Sequence, residues 1–487
     1  MGLKGLVART GTVWKRSRAC GKAVVDSLFG RREAQLIACR RGVECVNHEM
    51  PEAVRRGARI TTPAPFDLFV SYRKAEPTPL NWLKAARAAM VWRAHAGLGS
   101  LAIAGRLLGW FFRFPPDLLR FMWRYSAIWK RHFHRTRPQQ FLDLVAAAAG
   151  NGLMPRDYYR CDIATKKRKA SFFDVIPYQL YATPLEALSH QPGSREDLER
   201  TRDKAAFYAF CAGKGLPVPT VYGLIRCSTD SAETGLLPPG DFLVKPARGG
   251  QGKGIAIWRH ELETGKWSSR GRTYAAGSLL RHLGKQAAAT PGGFVLQEVL
   301  ENGQEIRPFA PFALSTFRIV TMLDESSEPT VVVGQFRTAT MADSPVDNFH
   351  AGGCLFHIDL ATGLFGKGER GDYSENPKTI EQHPATGNQI SGVPVPRLDE
   401  ILSLALRAHR VVPALTCIGW DVAVTTRGPV LIEANVPPGL QPTQQVQVGG
   451  FVRTRFMRLL AHQCRRWIEE NEPAGSRFRV GADRTDW

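Results

Sequence analysis

From Val218 onward the chain alternates short β-branched and aromatic runs with turn residues: TVYGLIRC, DFLVKP, GIAIW, GFVLQEVL, STFRIVTML, TVVVGQFR and GGCLFHIDL. Runs of this kind, closed by Gly, Pro and Asp, predict strands. Helical periodicity interrupts them near Gly277–Gln286 and Leu398–Val411, and a last helix is expected over about Gly450–Glu470. Just upstream, Ser194–Gly215 opens on SRED and predicts one further helix. The result is an α+β body of roughly 270 residues.

The earlier part of the chain is patterned differently. Leu80–Arg135 is rich in Trp, Phe, Leu and Ala, and Arg87, Arg93, Arg106, Arg113, Arg120, Arg124 and Arg131 recur at intervals a helix accommodates. The Phe114-Pro115-Pro116 triplet is expected to separate two of these helices. Residues 1–60 are basic and weakly patterned, and Thr62–Pro79 reads as a connection. The expected division is a basic, partly irregular segment over 1–79, a helical region over 80–170, a catalytic domain over 171–470 and a tail over 471–487. No internal repeat or low-complexity tract is present.

Composition sharpens this picture in two ways. With 487 residues and 44% apolar content the chain can bury a large core, which excludes an intrinsically disordered protein. Residues 1–150 hold 26 Lys and Arg against 9 Asp and Glu, a net of +17, whereas the remainder hold 39 against 35, a net of +4. The basicity therefore belongs to the N-terminal region. A basic amphipathic helix lying on an anionic membrane face is one reading, since Leu107–Phe112 is bracketed by Arg106 and Arg113 and no apolar stretch is long enough to span a bilayer. The reading favoured from sequence is a helical domain that packs its aromatic stripe against the catalytic body, because such stripes are more often core. Nucleic-acid binding is not expected, for want of a motif. Nine cysteines without a C-x-x-C pair fit reduced thiols in a cytoplasmic compartment. Met1–Arg18 breaks its apolar stretches with basic residues, so no export signal is expected.

Two distant segments carry the chemistry. In FLVKPARGGQGKGIAIW, Phe242–Trp258, a strand ends on Lys245, and a turn carries Gly249, Gly250, Gln251, Gly252, Lys253 and Gly254 before a second strand. Glycines let backbone N–H groups approach phosphate oxygens, and a lysine adds a point charge. In GWDVAVTTRGPVLIEAN, Gly419–Asn435, Asp421 lies on one strand while Glu433 and Asn435 lie two apart on the next and share a face. These are hard oxygen donors of the kind Mg²⁺ takes alongside phosphates. Taken singly, the first segment is an ordinary hairpin and the second a pair of solvated carboxylates. Their complementarity in one chain favours a nucleotide-and-metal site.

At these residues the sequence resembles the ATP-grasp superfamily, specifically its sugar-transfer-associated branch related to α-L-glutamate ligases. The likeness spans about residues 195–465 and rests on ordered elements: RDKAAFYAFCAGKGLPVP, FLVKPARGGQGKGI, VLQEVL, STFRIVT, NFHAGG, GWDV and LIEAN. It implies an α+β, ATP-grasp fold, with two α+β lobes around the nucleotide, preceded here by a basic, mainly helical region. It implies that Lys204 and Lys245 reach the phosphates and that the glycine turn folds over them. Glu298, Val299 and Leu300 match the hinge at the adenine, with Gln297 or Glu298 accepting from its amino group, and Glu305 would hold the ribose, with Glu301 as the alternative acid. Arg318 and Arg337 match the arginines around the transferring phosphate, while Asn348 and His350 lie in the acceptor loop. His350 reads equally as a substrate-reading, proton-shuttling or plain loop histidine. His383–Gly387 and Asp359 read as turn residues.

The implied activity is ATP- and Mg²⁺-dependent carboxylate–amine ligation through an acyl phosphate. Two Mg²⁺ ions would be held by Asp421, Glu433 and Asn435. By association with the branch, the substrates would belong to polysaccharide or sugar-conjugate biosynthesis. The same nucleotide site would serve a kinase phosphorylating a small-molecule hydroxyl, or a non-catalytic scaffold at a membrane or glycosyltransferase complex. The partners expected are a small carboxylate and an amine, with peripheral membrane or glycosyltransferase contact through the basic region. The expected location is the cytoplasm, extending to the inner membrane face.

Overall fold

The structure is a computed structural model that describes residues 71–94, 99–151, 153–160, 176–226, 237–250, 252, 254–342, 347, 349, 352–370, 379–440 and 451–480. The chain divides into two units, Met1–Met50 and Pro51–Trp487, and every described residue belongs to the second.

Four helices come first: α1 (Pro79–Ala94), α2 (Gly99–Phe133), α3 (Arg137–Asn151) and α4 (Pro155–Arg160). The sequence places a break at Pro115-Pro116, yet α2 runs straight through both prolines. Proline in a helix interior forfeits a backbone hydrogen bond and crowds the preceding turn. Here Phe114 and Leu118, on either side, are buried against Leu144, Ala147 and Ala148 of α3 and Tyr158 and Tyr159 of α4. Tertiary burial of this kind, about 1.5–3 kcal/mol for each large apolar side chain, offsets the local penalty.

The helices α5 (Tyr178–Leu188), α6 (Arg195–Arg202) and α7 (Lys204–Gly213) lead into the sheets. The single helix expected over Ser194–Gly215 is thus two. Asp203 is extended, with φ −108° and ψ 112°, and its carboxylate accepts from the Ala205 and Ala206 N–H groups at 3.0 and 3.2 Å. A side chain that caps a new helix has to interrupt the old one.

The first sheet comprises β1 (Val221–Ile225), β2 (Phe242–Pro246), β3 (Ala256–Glu261), β4 (Lys266–Ser269), β5 (Arg272–Tyr274) and, after α8 (Ala276–Ala288), β6 (Phe294–Gln297). Its order is β1-β6-β2-β3-β4-β5. The second comprises β7 (Thr316–Leu323), β8 (Pro329–Thr338), β9 (Cys354–Asp359), β10 (Leu364–Arg370), β11 (Thr379–Ile380), β12 (Cys417–Thr425) and β13 (Gly428–Asn435), with α9 (Leu398–Arg410) between β11 and β12. Its order is β11-β10-β9-β8-β7-β12-β13, antiparallel at every pairing. A last helix, α10, spans Arg455–Asn471.

The second sheet is the middle layer. One face, with Phe317, Ile319, Phe336 and Phe356, packs on Ile401, Leu404 and Ala405 of α9. On the other, Val320 and Met322 meet Phe456, Met457 and Leu460 of α10, Leu83 and Ala86 of α1, and Leu180 and Tyr181 of α5. Cover on both sides explains why β7 and β12 read as nearly unbroken apolar runs. It also corrects the expected docking of the whole aromatic region on the catalytic body. Residues of α1 join the large core, whereas the buried aromatics of α2 pack on α3 and α4 in a cluster of their own.

Candidate functional site

The polar residues gather where the second sheet faces β2 and α7. The strand register brings them together, because cross-strand partners in an antiparallel pair project to the same side. Glu433 pairs with Asp421 across β13 and β12, Asp421 with Arg318 of β7, and Arg318 with Gln335 of β8. Arg337, two residues along β8 from Gln335, points the same way and pairs with Thr316.

Asp421 is the hub. Its Oδ1 receives Arg318 Nε at 2.5 Å and lies 2.7 Å from Arg337 Nη2, while its Oδ2 receives Arg318 Nη2 at 3.1 Å and Asn435 Nδ2 at 3.4 Å. A carboxylate offers about four lone-pair directions, and all are engaged. Burial pushes the Asp421 carboxyl up, but Arg318 and Arg337 outweigh it and hold it down at about 2. Gly419 makes this arrangement fit, since a Cβ there would stand 2.9 Å from Pro438 Cβ and 3.2 Å from Arg318 Cδ.

Behind Arg337 stands a buried acid that sequence reasoning missed. Thr316 Oγ1 donates a short hydrogen bond to Asp347 Oδ2 and accepts from Arg337 Nη2 at 2.8 Å. Burial raises the Asp347 carboxyl against the opposing pull of Arg337 and the Thr316 hydroxyl. The signal was faint: Asp347 directly precedes the acceptor-loop motif. Asn348 and His350, expected there, lie outside the described residues. Gln335 was missed too. It is buried, and among the described residues its Nε2 has no hydrogen-bond partner.

The two lysines approach from two elements. Lys204, at the start of α7, donates to the Gly249 carbonyl at 2.6 Å and lies 3.0 Å from Glu433 Oε1. Lys245, at the end of β2, donates a short hydrogen bond to the Tyr208 hydroxyl of α7, which in turn donates to the Ile432 carbonyl at 2.6 Å. Tyr208, also unforeseen, thereby ties the first sheet to β13 beside Glu433. Burial, with Lys204 close by, lowers the Lys245 ammonium to about 7. In the turn after β2, Gly249 has φ +108° and Gly254 has φ +77°, and a Cβ on Gly254 would meet Pro246 Cγ at 2.9 Å. Only glycine suits those positions. Gly250 is exposed and Gly252 also has positive φ, while Gln251 and Lys253 lie outside the described residues.

The residues expected at the adenine follow at the end of β6. Gln297 is buried, and its Oε1 has no partner among the described residues. The Glu298 carboxylate accepts from Thr220 N–H at 2.7 Å and forms a short ion pair with Arg427. Val299 and Leu300 follow in half-buried chain. Of the two acids weighed for the ribose, Glu305 lies 3.6 Å from Arg397 and Glu301 lies 3.4 Å from Arg307. His383 is buried, with Nε2 at 3.0 Å from the Ala339 carbonyl, and closes the turn ending at Gly387.

Glu433 and Asn435 fit a hard cation, for they are oxygen-bearing, close on one strand face and half-buried, with Lys204 paired to Glu433. Asp421 fits less directly, as its lone pairs are taken by the arginines. Among the described residues, no group of three or more His, Cys, Asp or Glu side chains is arranged to hold a metal.

Two sheets meeting at paired lysines, a glycine turn and an acid–arginine cluster define a two-lobed α+β protein. A family model described as sugar-transfer associated ATP-grasp matches residues 187–456, and the chain belongs to that family. No curated protein matches it. Among solved structures it is similar to D-cycloserine synthetase, at 16% identity and TM-score 0.33, covering 61% of this chain and 80% of that one. It is similar to D-alanyl-alanine synthetase A from Vibrio cholerae, at 11% and 0.32, covering 54% and 64%. It is also similar to the biotin carboxylase domain of the 2-oxoglutarate carboxylase from Hydrogenobacter thermophilus, at 14% and 0.31, covering 58% and 48%. The chain thus spans about half to two thirds of the length of the last two.

Proposed function

We propose that the protein is an ATP-dependent ligase that joins a carboxylate to an amine through an acyl phosphate, working on a precursor of a sugar conjugate or polysaccharide. The carrying observation is the convergence of Lys204 and Lys245 with the Glu433–Asp421–Arg318 row and Arg337 at the junction of the two sheets. In the first step a substrate carboxylate oxygen attacks the γ-phosphorus, and the bond to the β–γ bridging oxygen breaks with release of ADP. In the second, the amine nitrogen attacks the acyl carbon, the C–O bond to phosphate breaks, and the nitrogen gives up its proton to solvent.

No enzyme nucleophile is needed, so catalysis is positioning and charge. Lys204 and Lys245 grip phosphate oxygens from two sides, and the glycine turn supplies N–H groups. Arg318 and Arg337 are guanidinium forks suited to the transferring phosphoryl and acyl phosphate oxygens. Asp421 holds them aligned until phosphate competes for them. Glu433 and Asn435, with Asp421, would hold Mg²⁺, which would supply charge neutralisation for the phosphates. Gln297 and the following hinge would meet the adenine, leaving Glu305 or Glu301 for the ribose.

The testing experiment is Mg²⁺-dependent release of ADP and phosphate from purified protein, assayed against amino acids, carboxylated sugars and their pairs, with Glu433→Ala as control. Release that needs both a carboxylate and an amine, and is absent in the variant, supports the ligase. Release of ADP without free phosphate, given a hydroxyl acceptor alone, would replace it with a kinase.

A further inference from the structure

We propose that the outer face of α2 docks on an anionic lipid bilayer. The helix is apolar on two sides. Its inner side, with Phe114 and Leu118, is buried on α3 and α4. Its outer side presents Phe112, 77% exposed, Leu119, 68% exposed, and Trp123, 86% exposed. Spacings of seven and four residues put these three on one stripe. Pro116, Ala127 and Lys130 continue the stripe and are exposed as well.

Isolated exposed apolar residues are ordinary, but an aligned Phe, Leu and Trp on one helix form a patch that water disfavours. Arg120 and Arg124, exposed and one turn apart, flank it. Across α2 there are six Lys and Arg and a single acid, Asp117. Aromatic and aliphatic side chains beside a basic border are what a helix lying in a membrane interface requires: the apolar stripe enters the acyl boundary and the arginines meet lipid phosphates. No described helix is long and apolar enough to cross a membrane, so the geometry is that of a helix lying in the surface plane.

Charge selects this occupant over two others. A second copy of the chain would bring the same basic border against itself. Residues 1–70 of the same chain carry 13 Lys and Arg against 6 Asp and Glu, so they too are of like sign. An anionic surface attracts where both of these repel.

The test is flotation of the full chain with vesicles of phosphatidylcholine alone and with about one third phosphatidylglycerol, at low and high salt. The parent is expected to float with anionic vesicles and to be released by salt. Combined Phe112→Ser, Leu119→Ser and Trp123→Ser substitutions should lower partition at least about tenfold. So should Arg120→Glu with Arg124→Glu, which also controls for any folding defect in the triple variant, checked by its unfolding midpoint. Unchanged partition in both variants would overturn the proposal, as would no binding of the parent to either vesicle. Self-association of the parent that the triple variant abolishes, without vesicle binding, would show that a second copy covers the stripe.

Discussion

The two sheets contribute to the site in opposite ways. The first presents main chain and one buried lysine: the glycine turn after β2, the hinge after β6, and Lys245. The second presents a dense row of charged side chains, Glu433, Asp421, Arg318 and Arg337, none more than half-exposed. Backbone recognition is insensitive to side-chain identity, whereas a charged row depends on each member. Outside Lys245 and the turn glycines, substitution should therefore be tolerated on the first side and punished on the second.

The largest effect is expected at the charged row. Glu433→Ala should lower kcat by about 10³-fold or more while leaving the fold intact, measured by ADP release and thermal unfolding, because Glu433 is half-buried and its direct ion-pair partner, Lys204, keeps its hydrogen bond to the Gly249 carbonyl. Asp421→Asn should differ by harming stability as well. It takes the carboxylate charge from Arg318 and leaves Arg337 with Thr316 and Asp347, and breaking a buried ion pair costs about 3–5 kcal/mol. A denaturation midpoint equal to the parent's would show that Arg318 and Arg337 do not depend on Asp421.

Gly419→Ala should fall next. Its Cβ would press on Pro438 and Arg318, so a loss of about tenfold in kcat with about 1–3 kcal/mol of stability is expected. On the first sheet, Tyr208→Phe keeps the ring over which Lys245 sits, 4.8 Å from its centroid, and removes the hydroxyl that orients it. The expected result is a KM for ATP raised by several-fold with kcat little changed.

The last effect is one of pH. With the Lys245 ammonium lowered to about 7 by burial and by Lys204, the free protein loses that charge as pH rises. ATP affinity should then weaken above pH 7 by up to about tenfold per unit, and Lys245→Arg should flatten the profile. Folding stability should move the other way. An unfolded lysine keeps its proton up to the ordinary lysine range, so the unfolded state binds more protons across that window and the nucleotide-free protein gains stability with rising pH.

The predicted strands all formed, because β-branched runs bounded by turns favour extended chain and, except along most of β1, are covered by packing. The strands that the pattern did not announce are β4, β5, β10 and β11, which are short or, like LFGKGER, weakened by glycine and charge. The two misread helices failed for contrasting reasons. Asp203 is an ordinary residue in a helical pattern until its side chain is seen capping α7. Pro115 and Pro116 are strong breakers, overridden by the burial of their neighbours.

The site divides along the same line. Lys245, the glycine turn, Asp421, Glu433 and Asn435 were legible because their chemistry depends on local spacing: consecutive turn glycines, or alternate residues on one strand. The sequence by itself determined the class of fold and the kinds of groups available for a nucleotide. Tertiary structure alone decided which groups stand together. Asp421 and Arg318 are far apart in the chain, and only strand register makes them partners. Tyr208 and Asp347 acquire their places from packing between elements, which no local pattern encodes. The same holds for α2, where periodicity showed apolar positions but only the fold revealed which side was covered, since burial is a property of neighbours.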